Sequence, residues 1–153
     1  MTTMMTIGRR RLFVGGGAAF VLVAGAVSYI VWDRLAIASQ RRATLELGAA
    51  LYQSTCASCH GARLEGQPDW QRRRADGRLP APPHDESGHT WHHSNEILFN
   101  LTKFGPQSYT SADYQSDMPG FAGVLSDEEI VAVLEYIKST WSEETRRRQA
   151  SRK

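Results

Sequence analysis

Two cysteines and a histidine lie together in the sequence as Cys56-Ala57-Ser58-Cys59-His60. These are the only cysteines of the chain. A C-x-x-C-H run is the attachment motif of c-type haem, in which both thiols add to the vinyl groups of the porphyrin. The adjacent histidine can then reach the iron as its proximal ligand. The motif therefore predicts one covalent haem on Cys56 and Cys59, with His60 bound to the iron.

Two other interpretations of a C-x-x-C pair fit this sequence less well. A thioredoxin-like redox pair is expected within a βαβ pattern, and no strand pattern surrounds the motif. The interpretation as half of a zinc site lacks a second cysteine pair, because the sequence has no further cysteine. Haem attachment is therefore the favoured chemistry.

The second axial ligand is sought among the methionines. Only Met118 lies outside the N-terminal region, within the run DMPGF at residues 117–121. A thioether ligand stabilises ferrous iron and raises its reduction potential. A methionine more often fills a hydrophobic core, but this one precedes a proline in a predicted loop. We therefore predict that His60 and Met118 are the two axial ligands.

Helices are predicted at both ends of the region that carries these residues. Residues 44–52 have a helical pattern and lead directly into the cysteine motif. Ser126 and Glu129 form a capping box, and the apolar residues that follow repeat on one face of a helix that reaches residue 141. These two helices flank the segment that carries the cysteine motif and Met118 along the chain.

A third helix is predicted over residues 95–104. Ser94 is its expected N-cap, and Gly105 is its expected C-terminal stop. No strand pattern is evident elsewhere in the chain. The sequence therefore predicts a small all-α domain of about 100 residues. A domain of this size buries little apolar surface by itself, so the haem is expected to complete its core.

Together these features resemble a class I cytochrome c over residues 44–141. The resemblance rests on CASCHG at 56–61, on MPGF at 118–121 and on the helices at both ends. It implies a small mono-haem domain wrapped around one covalent haem. It also implies a role in electron transfer rather than in catalysis.

The resemblance further assigns residues around the haem. The first and last helices are expected to cross where Gly48 and Tyr52 meet Tyr136, because glycine allows close backbone approach. In this family a proline carbonyl accepts the second ring N–H of the proximal histidine, which makes Pro82 or Pro83 the expected acceptor. The side chains expected to bond the propionates or to pack on the haem are Trp70, Trp91, Tyr109 and Phe121.

Four of the five histidines lie within residues 84–93. One hypothesis is an additional metal site, such as a copper site, formed by His89, His92 and His93. A second is that a histidine displaces Met118 at the iron. The favoured interpretation is a loop at the haem edge, whose imidazoles bond propionates, backbone or solvent.

The N-terminal region is predicted to be a membrane anchor. Residues 12–32 contain no charged side chain, and as a helix they would rise about 31 Å, enough to cross a bilayer. Three arginines at 9–11 favour a cytoplasmic segment 1–11, which would place the haem domain in the periplasm of a bacterial inner membrane. A cleaved signal peptide is the alternative, with a small-residue site at 36–38, but the apolar run is longer than such peptides have.

Charge is distributed unevenly along the chain. Residues 43–145 hold seven basic and fifteen acidic side chains, a net formal charge of −8. An acidic domain argues against nucleic-acid binding and predicts a redox partner with a basic docking patch. The remaining boundaries are a short linker at 33–43 and a basic tail at 142–153, of which residues 146–153 are expected to be frayed.

The predicted function is one-electron transfer on the periplasmic side of the membrane. Iron held by both His60 and Met118 is closed to substrates, so neither an enzyme nor a small-molecule substrate is expected. The resemblance implies partners of the respiratory-chain kind: a quinol-oxidising complex as donor and a terminal oxidase or reductase as acceptor. The short linker favours a membrane neighbour or a subunit of an assembly. The alternatives are a haem enzyme or sensor with a labile sixth ligand, and a metal-handling or assembly factor that uses the histidines at 84–93.

Overall fold

The computed structural model describes residues 8–110 and 114–152, with the backbone alone for residues 8–19. Most of the predicted N-terminal segment 1–11 therefore lies outside the described residues. The chain divides into two compact units, Met1–Arg41 and Arg42–Lys153.

The first unit consists of a long apolar helix. Helix α1 (Gly8–Leu51) is 44 residues long, and its residues up to Arg41 belong to this unit. Its large apolar side chains from Phe20 to Ile37 are all more than half exposed. The helix is long and apolar enough to cross a membrane, with a mean hydropathy of 1.7 over its most apolar part. The predicted apolar helix is therefore confirmed, and the linker at 33–43 is helical throughout.

The second unit is built from short helices and loops. After α1 the chain forms one π-helical turn and the single turn α2 (Ala57–His60). The later helices are α3 (Asn95–Phe104), α4 (Asp127–Ser139) and α5 (Glu143–Ala150), with 3-10 turns at Thr90–His92 and Pro106–Tyr109. The described residues contain no strand, only an isolated bridge between Ala122 and Leu125. The all-α prediction is confirmed.

The ends of α3 and α4 follow from their local sequence. The Ser94 hydroxyl accepts a hydrogen bond from Ile97 N, and Gly105 closes α3 by donating to Leu101 O. At α4, Ser126 and Glu129 each accept the other's backbone N–H, so the predicted capping box is present.

The core of this unit forms where α1 crosses α4. A Cβ atom on Gly48 would lie 2.0 Å from the carbonyl oxygen of Ala132, so only glycine permits this approach. One turn later, the ring of Tyr52 lies 5.6 Å from that of Tyr136. The predicted crossing is confirmed, and the buried residues gathered around it are Tyr52, Leu64, Val133, Ile137 and Trp141.

The C-terminal segment corrects the expectation of a frayed tail. Ser142 caps α5, whose acidic first turn and basic last turn complement the helix dipole. The buried Gln149 side chain donates to His93 O at 3.1 Å and to Asn95 Oδ1 at 2.8 Å. Local capping starts this helix, and the Gln149 contacts fix it to the domain. Two ion pairs along it are Glu143–Arg147 and Glu144–Arg148.

Candidate haem site

The cysteine motif begins at a change of helix type. Residues Tyr52–Cys56 form a π-helical turn, in which Ala57 N donates to Tyr52 O, before α2 carries the rest of the motif. Cys56 and Cys59 are three residues apart in helical conformation, which places both thiols on one side. Cys59 is exposed, whereas Cys56 is half-buried, and burial raises the pKa of its thiol to about 11.

The loop that follows α2 folds back on the motif. Gln67 N donates to Ala81 O at 2.9 Å, and His84 N donates to Leu64 O at 2.8 Å. These bonds pair the outgoing and returning parts of the loop. They bring Pro82 beside the motif, although it lies about twenty residues further along the chain.

His60 is held as a ligand for a metal would be. The imidazole is buried, and its Nδ1 lies 2.8 Å from the carbonyl oxygen of Pro82. Because a carbonyl can only accept, Nδ1 carries the hydrogen and Nε2 keeps a free lone pair. Burial also lowers the pKa of His60, which favours the neutral ring. Of the two candidate prolines, Pro82 makes this contact, whereas the carbonyl of Pro83 accepts from the Thr90 hydroxyl.

A second histidine supports the first. The His84 ring stacks on His60 with centroids 4.0 Å apart and an angle of 22° between planes. Its Nδ1 lies 2.8 Å from Thr90 Oγ1, and its carbonyl accepts from Trp141 Nε1 at 2.8 Å. Burial lowers the pKa of His84 far below its usual value, so the ring is neutral. A ring stacked on His60 would lie on the same side of an iron held by His60, so His84 is not placed to ligate that iron from the other side. Sequence analysis placed His84 only within the histidine-rich loop at 84–93 and did not predict its contact with His60.

Met118 lies half-buried in a loop tied down at both ends. Its backbone N–H donates to Ser116 Oγ at 3.1 Å, and Ser116 O accepts from Gln107 Nε2 at 3.2 Å. On the far side, Phe121 N donates to Thr102 O at the end of α3. The loop position predicted for Met118 is therefore the one observed, and Phe121, further along the same loop, is half-buried.

Asp117, next to Met118, binds two arginines that sequence analysis did not connect with it. Arg74 Nη2 lies 2.7 Å from one carboxylate oxygen and Arg78 Nη1 lies 2.8 Å from the other. The three side chains are between 41% and 44% exposed. The available signals were an acid beside Met118 and a run of arginines at 72–78.

Two buried nitrogens suit the acidic groups of a haem. Among the described residues, Trp91 Nε1 and Arg78 Nε are the buried side-chain polar atoms that have no hydrogen-bond partner. Both are donors only, and a buried donor without an acceptor is costly. Haem propionates are acceptors of the right kind, so this chain fits the group. Trp91 was predicted for this role and Arg78 was not, while Tyr109 is 49% exposed at the end of its 3-10 turn.

The histidines at 89–93 pack with aromatic rings. His89 stacks on Trp70 at 5.3 Å and meets His93 at 5.4 Å, while His92 lies against Trp91 at 3.8 Å. Burial lowers the pKa of both His89 and His93. In the part of the chain that the structure describes, no three His, Cys, Asp or Glu side chains come together to hold a metal ion. The hypothesis of an extra metal site at His89, His92 and His93 therefore has no geometric support.

Comparison with known families decides between these interpretations. A family model described as Cytochrome c matches residues 45–141 of the 153. The chain belongs to the cytochrome c family. No curated protein and no solved structure matched it. The match contains the cysteine motif, the Met118 loop, α3 and α4, while the apolar part of α1 and all of α5 lie outside it.

A cytochrome c domain binds a covalent c-type haem, and Cys56 and Cys59 of this chain fit its C-x-x-C-H attachment motif. When bound, this haem supplies an iron that gains and loses single electrons. The chain supplies two thiols on one helical face, a neutral imidazole and buried donors. These are the groups that attach, orient and neutralise such a cofactor, and a domain of this family is an electron-transfer protein rather than a typical enzyme.

Proposed function

We propose that the protein is a one-electron carrier in which His60 and Met118 hold the haem iron on opposite sides. The observation that carries this proposal is the arrangement of His60, whose Nδ1 bonds Pro82 while Nε2 stays free for iron. Met118 is supported by its anchored loop and by being the only methionine among residues 45–141. With both positions filled by the chain, oxidation and reduction need little rearrangement, and the exposed Cys59 side is the exit for electrons.

The optical spectrum of the purified, dithionite-reduced protein tests this ligation. Carbon monoxide binds ferrous haem only at an open axial position. We expect no spectral change on adding carbon monoxide to the wild type, and a clear shift in Met118→Ala. A shift in the wild type would instead favour a haem enzyme or sensor with a labile sixth ligand.

We further propose that α1 anchors the protein in a bacterial cytoplasmic membrane, with the cytochrome c domain in the periplasm. The support is the apolar stretch after residue 19, whose large side chains are exposed, and the three arginines that precede it. Alkaline carbonate extraction and intact-mass measurement test the anchor. Recovery of the full chain in the membrane pellet is expected, and a soluble chain lacking its first residues would establish a cleaved signal.

The partners we propose are respiratory redox proteins, a quinol-oxidising complex on one side and a terminal oxidase or reductase on the other. The acidic balance of residues 43–145 suits a basic docking patch on such a partner. Stopped-flow electron transfer to an oxidase at increasing salt tests this. The second-order rate should fall as salt rises, and a salt-independent rate would argue against electrostatic docking.

A further inference from the structure

Asp117 joins two segments that are distant in sequence. Its carboxylate lies beside Met118 on one loop, and both arginines that bind it lie on another, 43 and 39 residues away. The two bonds use different carboxylate oxygens, at 2.7 and 2.8 Å. A carboxylate held from two sides by guanidinium groups is fixed in orientation as well as in position.

The arginines themselves stand on a small rigid turn. Arg74 N donates to Arg78 O, and Gly77 N donates back to Arg74 O, both at 2.9 Å. Gly77 has a φ of +82°, a conformation that favours glycine. Asp76 accepts from Arg78 N at 3.0 Å and completes the turn. The two guanidinium groups are therefore presented together.

Arg78 also carries a second donor that the described residues leave unused. Its Nη1 binds Asp117, while its Nε is buried and has no partner among the described residues. One side chain thus holds the Met118 loop with one donor and keeps another buried donor for an acceptor such as an acidic group of the haem. No other described contact ties Asp117 to the rest of the domain.

We propose that Asp117 is a positioning residue, which keeps Met118 on the iron through its ion pairs with Arg74 and Arg78. The inference rests on the proposed ligation of the iron by Met118. Without the carboxylate, the bonds of Ser116 and Phe121 still attach the loop at its two sides, but the residue next to the ligand is released. The sixth position then opens more often, while the haem stays covalently attached.

The test measures how often the position opens in the haem-loaded full chain. Imidazole is added to the ferric protein at concentrations where its binding rate is limited by release of the methionine. The far-red charge-transfer band of sulfur-ligated ferric haem is recorded for each protein. We expect Asp117→Asn and Arg74→Gln each to speed imidazole binding roughly fivefold, as loss of partly exposed ion pairs allows.

Two comparisons separate a positioning role from a change of local charge. Asp117→Asn and Arg74→Gln remove opposite charges. A field effect alone would therefore shift the reduction potential in opposite directions in the two variants, and it would do the same to the rate of imidazole binding. Release of the loop raises the rate in both, and the double variant should be no faster than either single one. Glu135→Gln is the matched control, because Glu135 is also 43% exposed and pairs with Lys138 on α4.

The outcomes distinguish this inference from the ligation on which it rests. One outcome is that the far-red band is present in the wild type and lost in Met118→Leu, which supports ligation by Met118. If Asp117→Asn and Arg74→Gln then bind imidazole at the wild-type rate, Asp117 has no positioning role. If the rate of imidazole binding rises in one variant and falls in the other, the positioning role is overturned as well. If Met118→Leu leaves the spectrum unchanged, Met118 is not the ligand and both proposals fall. Thermal unfolding of each variant confirms that the domain is folded.

Discussion

The two proposed iron ligands are held by different kinds of structure. His60 is buried, bonded to Pro82 and stacked on His84, close to the core where α1 crosses α4. Met118 is half-buried in a loop whose neighbouring Asp117 is held by partly exposed ion pairs. Burial stabilises by removing apolar surface from water and is not weakened by charge screening, whereas exposed charge pairs are weak and screened. The difference teaches that one domain can hold His60 by burial and the Met118 loop by charge pairs that salt can weaken.

The strongest way to break the His60 side is at the helix crossing. In Gly48→Val, the new Cβ would meet Ala132 O, so α1 and α4 must move apart. We expect the free energy of unfolding to fall by about 3 kcal/mol, measured by guanidinium denaturation followed by haem absorbance. Gly25→Val is the matched control, since nothing lies within 4 Å of that position. Equal stability of the two variants would show that the crossing does not support the haem site.

A milder change removes one hydrogen bond, which joins Tyr52 at the crossing of α1 and α4 to the end of the cysteine motif. Tyr52 Oη donates to Gly61 O at 2.8 Å, directly after His60. Tyr52→Phe leaves this carbonyl without its donor, and we expect unfolding to be easier by about 1–2 kcal/mol. Tyr136→Phe is the control, because the structure gives its hydroxyl no partner among the described residues. The comparison fails if both variants lose the same stability.

Helix boundaries were predictable because their signals are local. Ser94, Gly105 and the Ser126–Glu129 box each act within a few residues, and the sequence displays them directly. The cysteine motif is equally local, and the family match covers it. A chemically sufficient motif therefore identified the cofactor without any structure.

What the sequence did not reveal depends on contacts between distant segments. The pairing of Asp117 with Arg74 spans 43 residues and has no periodicity that a sequence could display. The stacking of His84 on His60 arises only when the loop returns through its backbone bonds to Leu64 and Gln67. The order of α5 was missed because its basic composition resembles a disordered tail, although Ser142 was a readable cap.

The Met118 side should respond to salt where the His60 side does not. Because salt screens partly exposed ion pairs, molar sodium chloride should speed imidazole binding to the ferric wild type roughly twofold. In Asp117→Asn this salt effect should largely disappear. Thermal unfolding at the same sodium chloride concentration shows whether salt also changes the stability of the whole domain. If salt still speeds imidazole binding in Asp117→Asn, the salt effect does not come from the ion pairs of Asp117.

The smallest expected effect is a pH dependence of α5, which arises from the contact between Glu86 and Ser142. The Glu86 carboxylate accepts the backbone N–H of Ser142 at the start of α5, and this bond lowers its pKa. A lowered folded-state pKa means that the contact stabilises α5 above the usual carboxyl range and is lost as the pH falls through the lowered pKa. Amide NMR shifts of residues 143–150 should therefore change in acid.

The matched variant for this last effect is Glu86→Gln, which removes the titrating group and leaves the fold of the domain. Its α5 shifts at neutral pH should already resemble those of the acidified wild type. Identical titration of the α5 amides in both proteins would assign the change to the acidic residues of α5 itself.

The π-helical turn at Tyr52–Cys56 links a core residue, Tyr52, to the first haem-binding cysteine. Because a π-helical turn closes its hydrogen bonds over more residues than an α-helical turn, it changes the register of every residue that follows it. In this register Cys56 packs against the core cluster that contains Tyr52, whereas Cys59 is exposed. Deleting a single residue here would swing the whole attachment site by about 100° around the helix axis. Such a chain would keep every residue of its haem motif and lose the register in which His60 now meets the carbonyl of Pro82.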